Sequence, residues 1–440
     1  MKIANVCKSI IPALCAIGAG AAAAPNQATF RVVADMQQYS EAAGLTQPSP
    51  ALFYVGAGQQ AILSVTPPGK LAVLFAAPSG YNMGGPPVTG ANALSYTAYG
   101  SGGTNYPISL KSTPGSLKKY PATTLGPGFA QGLPDGTLFG IASEFSTGLY
   151  CLITGDEAGN VTPVYQLPSG QVPMSPIYAS GGNYYGVSWA YNGPQAGASY
   201  IFQVTPSGVM TNVAGLPDGS FGAGYSGSFF QGADGSFYGT TAAGGATGEG
   251  TLYRITAAGQ YSVIYSFGTG VNSIPGTTFQ ASDGNFYGVT RGATGPASYG
   301  EIFQLTPAGQ YTGLHLMKGP SGVCPCTLMQ ASDGVLYGTA GAGGKNGIGT
   351  VFALDAGLPK PAPQALSFTP QSAAVGQRVR IWGYNLFSAA VQFNGTAATV
   401  VSNAGSNYVW ATVPAGATSG PITVTTPGGT STTTASFTVE

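Results

Sequence analysis

Short runs of alternating apolar and polar residues, each closed by Gly, Pro, Asn or Asp, recur from residue 28 to the end of the chain. A period of two predicts strands with one buried face, and the closing residues predict tight turns. The sharpest stretch reads SGSFFQG (226–232), SFYGTT (236–241), TLYRIT (251–256) and YSVIYSF (261–267). We label these strands A to D of one unit. Asp234-Gly235 supplies the positive-φ geometry of a tight A–B hairpin. The segments ADGSFYGTT (233–241), SDGNFYGVT (282–290) and SDGVLYGTA (332–340) repeat that turn, with Gly239, Gly288 and Gly338 spaced 49 and 50 residues apart. Weaker copies centre on Gly56, Gly100, Gly140 and Gly186, so seven units follow at a mean period of 47. Such a period with four short strands per unit predicts the blades of a β-propeller, since one blade cannot bury both of its faces alone. The seventh unit ends at Gly357 before any fourth strand. ATFRVVADM (28–36) has the pattern of strand D, and we expect it to complete the last blade and tie together the ring formed by 28–357.

A proline-rich linker, LPKPAPQ (358–364), separates these units from 365–440. That segment predicts strands at 365–370, 377–383, 390–400, 407–414, 420–429 and 435–440, with Asn394-Gly395 as a hairpin turn.

At 233–309 the order DG, FYG, glycine-rich loop, GTLYRIT and closing glycine resembles the GloVer-type tandem repeat of exported bacterial proteins. That resemblance implies no particular chemistry. Its members often carry a C-terminal sorting anchor, and none is expected here. The 365–440 segment resembles an IPT/TIG domain through SFTP, AVG (374–376), VQFNGTAA (391–398), VPAGATSGPITVTTPGG (413–429) and the closing FTV. This second resemblance implies an immunoglobulin-like fold serving as a spacer or as a carbohydrate-binding or adhesion module. The expected fold is therefore all-β: a seven-bladed β-propeller followed by a small immunoglobulin-like β-sandwich.

Composition narrows the function. Charged residues make up 6% of the 440, against about 25% in ordinary soluble domains. Apolar residues make up 43%, which leaves enough to bury a core and opposes disorder. The net charge is zero, so no nucleic-acid partner is expected. Lys2 and Lys8, the apolar stretch 10–22 and the small residues Ala21, Ala22 and Ala23 read as a signal peptide over 1–23. The mature chain is then expected outside the cell or on its surface, with no stable membrane insertion. Cys151, Cys324 and Cys326 remain after cleavage. Cys324-Pro325-Cys326 is too close for ordinary disulfide geometry; a strained bridge is possible in principle, but we favour a loop staple using one of the two over redox chemistry.

Candidate chemistry is sparse. His315 is the single histidine and sits in an alternating strand, so we read it as structural. Without a histidine or cysteine cluster no metal site is expected, and no cofactor. Asp135, Asp234, Asp283 and Asp333 share one repeat position; the turn accounts for them without invoking calcium. Gln131, Gln231, Gln280 and Gln330 recur on strand A, and we expect their amides to satisfy backbone groups between neighbouring units. Trp382 and Trp410 offer a sugar platform if exposed; we favour core packing of at least one of them. The glycine-rich B–C loops (187–199, 241–250, 289–300 and 339–349) bring Trp189, Tyr191, Glu249, Arg291 and Lys345 to one face, and these are the candidate ligand-binding residues. The leading expectation is a non-enzymatic binding or structural protein whose partner is an extracellular glycan or a surface protein. The alternative is an extracellular polysaccharide lyase or hydrolase on the same scaffold, and no catalytic residue is nominated.

Overall fold

The computed structural model describes residues 28–440 apart from 38–41, 58–60, 68, 77–80, 90–92, 101–104, 112–116, 120–124, 134–136, 145–147, 157–159, 180–181, 191–198, 217–226, 293–298 and 403–406. The expected leader, Asp135 and Tyr191 lie outside the described residues. The fold is all-β. Six antiparallel four-stranded sheets follow one another over 42–76, 81–119, 125–166, 171–216, 229–266 and 275–316. Each is a meander of successive strands A to D. A seventh joins Val323–Gln330, Leu336–Ala342 and Thr350–Asp355 to Thr29–Asp35 from the other end of the sequence. Thr29–Asp35 runs antiparallel to Thr350–Asp355, with Phe30 opposite Leu354 and Asp35 opposite Thr350.

Contacts between sheets run in succession, largely through the A strands. The seventh sheet touches the first: Ala42–Ser49 meets both Val323–Gln330 and Leu336–Ala342. The apolar residues of this part are divided among layers between neighbouring sheets. One layer joins Ile302, Val289 and Met317 to Leu336 and Phe352; another joins Val351 and Tyr337 to Phe53, Val55 and Val65. The second layer also holds Val33 and Met36, so the N-terminal strand is buried where the last sheet meets the first.

The FYG element has a packing reason. Gly186, Gly239, Gly288 and Gly338 stand directly opposite Phe202, Tyr253, Phe303 and Phe352 on strand C. A Cβ on Gly288 or Gly338 would fall 2.6 or 2.4 Å from the tip of the facing ring. The missing side chain makes room for the aromatic that fills the layer.

The DG turn carries two further bonds. Asp234, Asp283 and Asp333 each accept a backbone N–H two residues on, at 2.9–3.1 Å. Each also accepts the hydroxyl of the tyrosine four residues on, Tyr238, Tyr287 and Tyr337, at 3.0 Å. Three strand-A glutamines link neighbouring units. Gln280 accepts from the N–H of Ala233 at 2.8 Å, Gln330 from Ser282 at 3.0 Å, and Gln47 from Ser332 at 3.0 Å. Gln47 makes this bond from the first sheet to the seventh.

Residues 364–439 form a four-stranded and a five-stranded sheet. Their shared core includes Phe368, Val379, Ile381, Val391, Phe393, Val409, Ile422, Val424 and Phe437. Asn394 and Gly395 both take positive φ, 44° and 88°, as a two-residue hairpin between Phe393 and Thr396 requires. Trp382 is packed, as expected of at least one tryptophan, but in a second buried cluster with Tyr408 and Trp410 rather than between the sheets. Strand alternation sends Val379 and Ile381 inward and Arg380 and Trp382 outward. On the outer face the Arg380 guanidinium lies 4.4 Å from the ring centre of Trp410, 4.7 Å from Trp382 and 5.5 Å from Tyr408. Trp382 is nonetheless buried, at 3% exposure, so it presents no open platform.

Candidate ligand-binding face

Antiparallel meanders place A–B and C–D turns at one end of the strands and B–C and D–A loops at the other. Contacts to the C-terminal part lie on the A–B side. Gln131 donates to the Tyr384 hydroxyl at 2.8 Å. The Pro359 carbonyl accepts from Gln330 at 2.9 Å and from Ser282 at 2.5 Å. Leu358 packs against the layer between the sixth and seventh sheets. The candidate residues lie at the opposite end.

There the fifth, sixth and seventh units are stitched together. The Glu249 carbonyl accepts from the Ile274 N–H at 3.1 Å, and the Ile274 carbonyl accepts from the Arg291 N–H at 3.1 Å. The positive charge of Arg291 in turn acts on the Cys326 thiol. Glu249 and Arg291 thus belong to one backbone-linked run, both half-buried. Trp189, half-buried near the end of Tyr184–Ala190, stands on the fourth unit to one side. Lys345 stands on the seventh to the other; it is exposed, and its backbone N–H is fixed by Asp35 at 2.7 Å.

One feature of this region was missed in the sequence. Glu301 accepts the Tyr311 hydroxyl at 2.5 Å, and Tyr311 stacks on Tyr265 of the fifth unit with ring centres 5.1 Å apart. Burial first, then the Glu301 carboxylate, push the Tyr311 hydroxyl far above its ordinary pKa. The signal was available: Glu301 occupies the strand-C position that Tyr200, Thr251 and Thr350 hold elsewhere. His315, read as structural in the sequence, has its ring flat against Phe30 of the N-terminal strand, with centres 3.7 Å apart and planes 2° from parallel. Its Nε2 lies 3.2 Å from the Ser321 hydroxyl, and burial lowers its pKa. Among the described residues no group of three or more His, Cys, Asp or Glu side chains is placed to hold a metal ion.

A groove of about 400 Å³ lies between the fifth and sixth units on the A–B side, lined by Asp234, Tyr238, Arg254, Ile264 and Pro307. Its charges satisfy each other, Arg254 to Asp234 at 2.7 Å. Burial works against the Asp234 carboxylate, but bonds from Ser236 and Tyr238 and the Arg254 charge hold its pKa below the usual value.

Repeated four-stranded sheets in contact through their first strands define a β-propeller repeat protein. Residues 172–413 match the Gloeobacter/Verrucomicrobia repeat, more than half of the sequence, and the chain belongs to that family. Virginiamycin B lyase from Staphylococcus aureus aligns with a TM-score of 0.54 and 15% identity over 74% of this chain and 98% of that one. The extracellular domain of the putative hybrid two-component system BT3049 from B. thetaiotaomicron aligns with a TM-score of 0.52 and 9% identity, over 95% of this chain and 58% of that one. The WD40 β-propeller domain of Doa1 aligns with a TM-score of 0.49 and 10% identity, over 73% of this chain and 96% of that one. At these identities the likeness concerns fold alone. No curated protein matches the sequence.

Proposed function

We propose that this protein is an exported binding protein in which seven four-stranded sheets form one closed propeller and the B–C loop face takes an extracellular glycan. Residues 365–440 are an IPT/TIG domain of immunoglobulin-like fold, seated on the opposite face. The observation that carries this reading is the backbone run from Glu249 through Ile274 to Arg291. It ties the backbones of an acidic and a guanidinium residue together on a face otherwise built of glycine-rich loops. Fixed polar groups beside an aromatic suit a sugar, whose hydroxyls both donate and accept and whose C–H faces pack on rings. Trp189 supplies the aromatic on one flank and Lys345 a second cation on the other; Tyr191 follows Trp189 by two residues in the sequence. The sparse charge of the chain, 6%, fits recognition of a neutral ligand better than of a polyanion.

A glycan-array screen of the full mature chain tests this. Binding is expected, and Arg291→Ala and Trp189→Ala should each weaken it by about tenfold or more, the loss of one good polar or stacking contact. No binding to any glycan sinks the carbohydrate reading. Polysaccharide turnover abolished by both Glu249→Gln and Arg291→Ala would replace binding with catalysis.

A further inference from the structure

Strand A of the seventh unit begins Val323-Cys324-Pro325-Cys326. Counted back from the clamp glutamines Gln330 and Gln280, these cysteines replace Ile274 and Gly276 of the sixth unit, around an equivalent proline. The backbone matches as well: Cys324 and Ile274 take φ of 54° and 53°. In both units the ladder register shifts just after the proline, between Pro325 and Thr327 and between Pro275 and Thr278. The repeat builds this bent, bulged corner without sulfur, so two cysteines there are an addition to the scaffold rather than a need of it. Bulges re-aim side chains, and here the Cys326 sulfur turns back onto Cys324. Cys326 Sγ donates to the Cys324 carbonyl at 3.2 Å, and the Cys324 thiol raises the Cys326 pKa, as does burial. Cys324 is exposed, whereas Pro325 is buried and Thr277 of the sixth unit bonds the Cys326 carbonyl at 3.0 Å. Arg291 and the Gly341 N–H act on the Cys326 sulfur in the direction that favours thiolate.

We infer that Cys324 and Cys326 form a redox-active dithiol that closes reversibly to a disulfide by exchange with external disulfides. The pair lies on the face proposed above for the ligand but does not rest on that reading. The exposed Cys324 thiolate attacks one sulfur of the external disulfide, forming a mixed disulfide and releasing one thiolate. Cys326 then loses its proton and attacks the Cys324 sulfur, forming the internal bond and releasing the second thiolate. The two protons lost by the cysteines end on the two released thiolates; the protein gives up two electrons and the external disulfide gains them. A bridge across so short a spacing is strained, and strained exposed bridges are the labile ones. Cys151 is buried and takes no part.

The test treats the full mature chain with oxidised glutathione, alkylates with iodoacetamide and weighs the peptide that contains both cysteines. In the wild type both alkyl labels are expected to be lost with no glutathione retained, and mild dithiothreitol should restore both labels. Cys326→Ser should instead accumulate glutathione on Cys324, because no second thiol resolves it. Glycine at the equivalent position of the sixth unit makes Cys326→Gly a second variant compatible with the fold, with the same expected adduct. A wild type that stays doubly alkylated, or that keeps glutathione on one or both cysteines, overturns the inference. Because the readout is thiol labelling, its failure leaves the glycan reading untouched.

Discussion

Tyr253 is fully buried, and among the described residues its hydroxyl has no hydrogen-bond partner. The equivalent side chains Phe202, Phe303 and Phe352 lack the oxygen. A buried unpaired hydroxyl costs roughly 1–3 kcal/mol, so Tyr253→Phe should raise stability by about 1 kcal/mol or more, read as a higher denaturation midpoint. His315 makes a second residue-scale prediction. Burial lowers its pKa below 6.5, so the unfolded chain takes up the proton first. The stabilisation is complete above about pH 6.5 and is lost as pH falls through the lowered folded value. His315→Gln should flatten the dependence of stability on pH in that window, measured by denaturant unfolding at a series of pH values. The structural reading of the DG aspartates was legible because a turn demands that residue type. Their bond to the following tyrosine was not, because a four-residue spacing carries no geometric meaning until a strand follows the turn. The Arg380 stack was equally hidden: it needs the register that sets Arg380 opposite Trp410 and Trp382 opposite Tyr408, which alternation within one strand does not supply.

At the scale of the strand, the pairing of glycine with an aromatic sets the repeat. A methyl group on Gly338 would meet the Phe352 ring and the Thr327 carbonyl, both at 2.4 Å. Gly338→Ala should therefore destabilise by roughly 1–3 kcal/mol, as overpacking does, with the denaturation midpoint lowered and the slope unchanged. The FYG pattern stood out in the sequence because three units carry it in nearly the same form. The first two units were faint there, since they keep the alternation but lack the DG and FYG residues. Gln47 was overlooked for the same reason, because no Asp-Gly follows it. Its bond to Ser332 matches those of Gln280 and Gln330 in kind. Gln47→Ala should cost about as much stability as Gln280→Ala, roughly 1–2 kcal/mol for a backbone N–H left without its acceptor. A neutral Gln47→Ala beside a costly Gln280→Ala would mean that the first and seventh sheets do not meet in solution.

For the whole molecule, few charges leave cohesion to layered aromatics, glutamine clamps and hydroxyls such as the buried Thr241–Thr251 pair at 2.9 Å. The described residues contain no helix long and apolar enough to cross a membrane. The two ends of the strands carry different work: the A–B side holds the linker and Tyr384, and the B–C side holds the proposed ligand residues and the thiol pair. Both assignments depend on the proposed ring being closed through Thr29–Asp35, the strand farthest in sequence from its partner. Hydrogen exchange of the mature chain, followed by mass spectrometry, tests this most directly. The account predicts that amides of 29–35 exchange as slowly as those of Thr350–Asp355 and are released together with them. Exchange within seconds at 29–35, beside slow exchange at Thr350–Asp355, would contradict it.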